Sequence, residues 1–182
     1  MIDLRSDTIT KPCDRMLDFM LHAKVGDDVY GEDLTVKELE NKIANFFGME
    51  SAMFFPSGTM ANQTALKIHT NPGEQVVAHE YSHVYNYEGG GASFNSGVSF
   101  KLLQGQNGMF NPDQLKYAIN PKNFYHSPLT KLVSLENTTN KGGGHCWDVK
   151  HFEEIKFICD ENGLGLHMDG ARVWNSIVAK DN

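Results

Sequence analysis

From residue 52 onward, short apolar runs trade places with amphipathic stretches of helical length. Residues 52–55, 75–78, 98–103, 132–135 and 164–168 have the length and apolar continuity of buried strands. Between them, residues 59–69, 112–119 and 148–161 read as helices. In the last of these, Phe152, Ile155, Ile158 and Cys159 share one face. This alternation predicts an α/β fold, a mostly parallel sheet with flanking helices on both faces. Ahead of it, Thr35-Val36-Lys37-Glu38 has capping-box form. It opens a helix with Leu39, Ile43 and Phe47 on one side and Gly48 as C-cap. The first thirty residues are less regular, and Pro12 suits the start of a short helix. Neither an internal repeat nor a low-complexity linker interrupts the chain.

The 182 residues are close to one ordinary domain, and 40% hydrophobic content is enough to build a core. A net charge of -7 without a basic run argues against nucleic acid as a partner. No apolar stretch approaches the roughly 20 residues that span a bilayer, so no membrane partner is expected. The opening Met1-Ile2-Asp3-Leu4-Arg5-Ser6-Asp7 is charged where a signal peptide is apolar. Cys13, Cys146 and Cys159 are odd in number and lack paired spacing. A cytoplasmic protein with reduced thiols is the expectation.

The polar residues fall at particular places. Ser57-Gly58-Thr59, residues 79–83, Glu136-Asn137-Thr138 and Asp169 each follow the carboxyl end of an expected strand. In open α/β sheets that edge binds ligands. An ionised Asp169 there can hold a proton on a partner nitrogen, such as the ring nitrogen of pyridoxal 5'-phosphate (PLP). It can equally cap the turn that follows it. Arg172 is either its salt-bridge partner or a two-pronged clamp for a substrate carboxylate. Gly58 and Thr59 open a helix whose free N–H groups suit a phosphate, or form an ordinary glycine turn with a threonine cap. His79-Glu80-Tyr81-Ser82-His83 matches the zinc-hydrolase pattern H-E-x-x-H, which needs both histidines on one helical face. The strand expected at 75–78 puts His79 in a turn instead, and no metal is assigned to the site. His83 would then lie flat on an aromatic cofactor ring, where imidazole also moves protons. His126, taken alone, reads as a surface histidine. The runs Gly89-Gly90-Gly91 and Gly142-Gly143-Gly144 lack dinucleotide-fingerprint spacing, which disfavours NAD.

Six segments taken in order resemble the threonine aldolases of the β-eliminating lyase group, PLP enzymes of the aspartate-aminotransferase-like fold. They are residues 3–8, 26–33, 56–62, 79–83, 134–138 and 167–172. The resemblance implies that Gly58, Thr59 and Met60 hold the PLP phosphate, that His83 stacks on the ring, and that Asp169 keeps the ring nitrogen protonated. It implies that Arg172 and Ser6 bind the amino acid's carboxylate and that His126 stands near its β-hydroxyl. Tyr30 would approach a site across a subunit boundary. The implied reaction is cleavage of L-threonine or L-allo-threonine to glycine and acetaldehyde by a cytoplasmic homotetramer.

Family members are longer, and their Schiff-base lysine lies beyond a later strand. Lys180 follows Asp169 too soon and reads as a surface residue. The 182 residues are therefore expected to comprise an N-terminal arm and an incomplete PLP-binding large domain, without the small C-terminal domain. Such a piece is expected to be inactive alone, a non-catalytic remnant or partner subunit, and prone to self-association through an unpaired sheet edge.

Overall fold

Val76 and Val77 are adjacent in sequence and both fully buried. Their strand, β1 (Gln75–His79), is covered on both faces. The computed structural model describes residues 2–180. β1 belongs to a four-stranded parallel sheet with β2 (Ser99–Leu103), β3 (Thr130–Glu136) and β4 (Gly165–Asp169), in the order β2-β1-β3-β4. The chain runs from β1 outward to β2, then crosses to the other side of β1 for β3 and β4. That reversal opens a crevice at the carboxyl ends of β1 and β3, the place where such sheets take ligands. Register aligns the ends: Glu136 pairs with Asp169, and Val77 with Val133.

The helices are α1 (Asp14–Leu21), α2 (Leu34–Phe47), α3 (Gly58–His69), α4 (His83–Asn86), α5 (Pro112–Ala118), α6 (Val149–Asn162) and α7 (Val173–Ala179). On one face of the sheet, Val77, Val133 and Leu135 pack with Leu115 of α5 and with Ile155, Ile158 and Cys159 of α6. On the other, Val76 and Leu132 pack with Leu66 of α3 and Val84 of α4. The alternation of Leu132 with Val133 and Leu135 between the two clusters is the period-2 geometry of a strand. Each fully buried Leu or Ile contributes about 1.5–3 kcal/mol, so these two layers fix the sheet's position. The fold class expected from the apolar runs is the one observed.

The chain divides into two compact units, residues up to Phe54 and residues from Phe55 onward. In the first, α2 is capped by Asp33, whose side chain accepts the Val36 N–H at 2.9 Å. The expected Thr35 cap is thus displaced two residues upstream, and the Thr35 hydroxyl donates to the Lys24 carbonyl at 2.6 Å. Gly48 closes α2 in the left-handed region at φ 63°, as expected. Leu39 and Phe47, expected to share an inner side, stay exposed. Residues 52–55 form no strand, because no strand of the sheet pairs with them. Met53 is 72% exposed and Phe54 53%. Ser57-Gly58-Thr59 therefore follows an irregular segment instead of a strand end. Cys13, Cys146 and Cys159 are free thiols. No helix among the described residues is long and apolar enough to cross a membrane.

Candidate active site

The crevice is built from the last residues of β1, β3 and β4. After His79 the chain turns and begins α4 at His83. Glu136, the last residue of β3, holds that turn in place. Its Oε2 accepts the His83 N–H at 2.6 Å and its Oε1 accepts the Asn140 N–H at 2.5 Å. Beside it, Asp169 ends β4 and is 7% exposed. The Asn137 N–H donates to the Asp169 carbonyl at 2.9 Å, tying the loop after β3 to the end of β4.

The Asp169 carboxylate caps the following turn with one oxygen and turns the other into the crevice. Oδ1 caps the following turn by accepting the Ala171 N–H at 3.1 Å. Oδ2 turns the other way and accepts Asn62 Nδ2 at 3.0 Å. The same Asn62 nitrogen donates to Glu88 Oε1 at 2.8 Å, and Gln63 Nε2 donates to Glu88 Oε2 at 2.6 Å. His83 Nδ1 lies 2.9 Å from Glu88 Oε1. His167 closes the network, with Nε2 3.0 Å from Asn62 Oδ1. Burial pushes the His167 imidazole below its ordinary range, and the charge of Asp169 opposes that shift. Two buried carboxylates, two histidine rings and the Asn62 amide that bridges them thus meet at the sheet edge.

His83 and Asp169 are brought together by this network. Gly58 and Thr59 open α3, the helix that also carries Asn62 and Gln63. Their amides have no protein partner among the described residues, whereas the Met60 N–H is taken by Ser57 Oγ at 3.1 Å. Met60 therefore offers no free amide to a phosphate. Arg172 stands at the entry to α7, three residues past Asp169. His126 is exposed in the loop that enters β3, with its ring against Tyr125 at 3.9 Å between centroids. It has no hydrogen bond to His83, Glu88 or Asp169 among the described residues. Ser6 and Tyr30 lie in the first unit. The Ser6 side chain caps a short 3-10 turn by accepting the Thr8 N–H, and Tyr30 is 79% exposed.

The zinc-hydrolase pattern does not form. His79 ends a strand and His83 starts a helix, so they share no helical face. The His79 ring is engaged at both nitrogens, Nδ1 accepting the Tyr81 N–H at 3.0 Å and Nε2 3.3 Å from the Gly105 carbonyl. Glu80 accepts Gln104 Nε2 at 3.1 Å.

Sequence reasoning passes over Glu88 and Gln63 and leaves Asn62 without a role. Asn62 lies inside the quoted 56–62 segment, and its inward position on α3 is the available signal. Glu88 carries none, because an acid beside three glycines looks like a solvated loop.

The chain matches the beta-eliminating lyase family over residues 3–181. It is 40% identical over 181 residues to a probable low-specificity L-threonine aldolase 2 of Arabidopsis thaliana, covering 98% of this chain and 51% of that protein. Against the low specificity L-threonine aldolase of Escherichia coli (strain K12) it is 41% identical over 180 residues, covering 98% and 53%. A solved putative aromatic amino acid beta-eliminating lyase/threonine aldolase from Exiguobacterium sp. 255-15 matches with a TM-score of 0.75 at 28% identity, covering 94% of this chain and 48% of that one. The chain spans about half the length of the curated relatives it matches. With the family match running through nearly every residue that builds the crevice, the chain belongs to the beta-eliminating lyase family.

Proposed function

We propose that this chain forms the cofactor cradle of a PLP-dependent aldehyde-lyase that cleaves L-threonine or L-allo-threonine to glycine and acetaldehyde. The observation that carries this is the buried Asp169 carboxylate, fixed by Asn62 beside His83 at the switch point of a parallel sheet. PLP supplies an electron sink for the electrons released when the Cα–Cβ bond of a β-hydroxy amino acid breaks. The residues present fit that group. Asp169 would hold the proton on its ring nitrogen, and the side chain of His83, 36% exposed, would cover one ring face. The unpartnered amides of Gly58 and Thr59 at the positive end of α3 would take its phosphate.

The remaining roles rest on the resemblance to threonine aldolases. Arg172 and Ser6 would bind the substrate carboxylate, His126 would stand at the β-hydroxyl, and Tyr30 would reach a neighbouring site in a cytoplasmic homotetramer. Among the described residues no lysine nitrogen is hydrogen-bonded to His83, Glu88 or Asp169. The 182 residues alone are accordingly proposed to bind PLP without turning over threonine.

The test is a PLP titration of this chain, followed by cofactor absorbance and tryptophan fluorescence. Saturable binding that phosphate competes away supports the reading. Asp169→Asn should weaken it at least about tenfold, one charge-assisted contact of about 1.4 kcal/mol. Binding that never saturates, or that ignores Asp169→Asn, would overturn it.

A further inference from the structure

Glu88 has no place in the motifs that suggest a function, yet its side chain is completely buried. Donors surround it: Asn62 Nδ2 at 2.8 Å and His83 Nδ1 at 2.9 Å on Oε1, and Gln63 Nε2 at 2.6 Å on Oε2. The amide orientations are not arbitrary. Turning Asn62 over would set its oxygen against two carboxylates, acceptor facing acceptor. Gln63 is fixed in the same sense, because its Oε1 accepts Asn95 Nδ2 at 3.3 Å. Gly91 leaves the space that Gln63 occupies, since a Cβ there would come within 2.7 Å of the Gln63 amide carbon.

A carboxylate braced by two amide donors acts as an acceptor at its third contact as well. The hydrogen between Glu88 and His83 then belongs to Nδ1, and neutral His83 keeps a bare Nε2. Which ring nitrogen carries the hydrogen is set by the partner of the other. We propose that Glu88 is a positioning residue that locks His83 as its Nδ1–H tautomer and leaves Nε2 as a proton acceptor. Free histidine in water prefers the opposite form, so the lock has a distinct signature. The proposal rests on the cofactor-cradle reading for its consequence: the ring that covers the cofactor accepts a proton at Nε2 instead of donating one.

The experiment is a long-range 1H–15N correlation of the histidine-labelled 182-residue chain, well above the ordinary histidine pKa of about 6.5. The His83 signals are identified by their loss in His83→Gln. The expected spectrum has a protonated Nδ1 and an unprotonated Nε2. Glu88→Ala should invert that pattern, and Glu88→Gln, which keeps an acceptor oxygen, should preserve it. A wild-type His83 carrying its hydrogen on Nε2 overturns the proposal, and that spectrum decides even if Glu88→Ala does not fold. Nδ1–H persisting in folded Glu88→Ala overturns it too. Adding PLP to the wild-type sample separates the two claims: a locked tautomer whose signals ignore PLP supports the role of Glu88 and sinks the cofactor reading.

Discussion

Asn62 Nδ2 reaches Asp169 Oδ2 at 3.0 Å across 107 positions of sequence, joining the second turn of α3 to the end of β4. The same nitrogen serves Glu88 at 2.8 Å, so one amide satisfies two buried carboxylates. Hydrogen bonds to charged groups contribute about 1.5–3 kcal/mol, and a buried acceptor left without one costs a similar amount. Asn62→Ala should therefore destabilise the chain by about 2–4 kcal/mol, read as a lower urea midpoint with an unchanged slope. A loss under about 0.5 kcal/mol would mean that neither carboxylate depends on Asn62.

Glu136 makes a comparable clamp with one side chain. Its two oxygens accept the His83 and Asn140 amides at 2.6 and 2.5 Å, fixing the start of α4 and the loop after β3. Glu136→Ala should speed native-state hydrogen exchange at both amides at least about tenfold, matching about 1.4 kcal/mol of lost protection. Glu136→Gln keeps one acceptor oxygen, so one of the two amides should stay protected. Unchanged exchange at both sites in Glu136→Ala would show that the turn is held by other contacts.

The parts of this architecture that sequence reveals are those with a local signature. β1 and β3 stand out because strands buried on both faces read as continuous apolar runs, β4 is legible from its apolar run although it is mostly half-buried, and α6 stands out through Ile155, Ile158 and Cys159 on one face. The positions of Asp169, the last residue of β4, and of His83, just after the turn that follows β1, are legible from the apolar runs that precede them. Residues 52–55 have the same apolar character but no ladder partner, and pairing is a property of the sheet that a four-residue run does not encode. Asp33 takes the α2 cap from Thr35 because its carboxylate reaches the Val36 amide. Glu88 is buried only because Asn62 and Gln63, 26 and 25 residues earlier, turn their amides toward it. No window along the chain contains that information.

His167 should give the chain an acid-sensitive stability. Burial holds its imidazole below the ordinary value near 6.5, with Asp169 and Glu88 opposing the shift and His69 adding to it. The unfolded chain therefore binds this proton more readily than the folded one. Its contribution is fully present above about pH 6.5 and is lost as pH falls through the lower folded value. Urea midpoints should be flat above roughly pH 7 and decline as pH falls below about 6.5, and His167→Gln should flatten that decline. A decline of equal size in His167→Gln would assign the acid sensitivity to other groups.

The thiols should separate by environment. Cys13 is exposed and Cys146 half-buried, while Cys159 lies with no exposure between α6 and the sheet. Burial pushes the Cys159 thiol up to about 11, with the charge of Asp160 adding to the effect and Lys156 opposing it. The thiolate is the reactive form, so Cys159 is protected twice, by its protonation and by the packing of Ile155 and Ile158 around it. In a disulfide-reagent titration at about pH 8, Cys13 should react first and Cys146 more slowly. Cys159 should react only as the chain unfolds, and in urea all three thiols should titrate. Its native-state labelling rate then measures opening of the α6 layer, and should rise in Ile155→Ala, which costs about 2–5 kcal/mol of packing. Labelling of Cys159 at the rate of Cys13 would mean that α6 does not cover the sheet in solution.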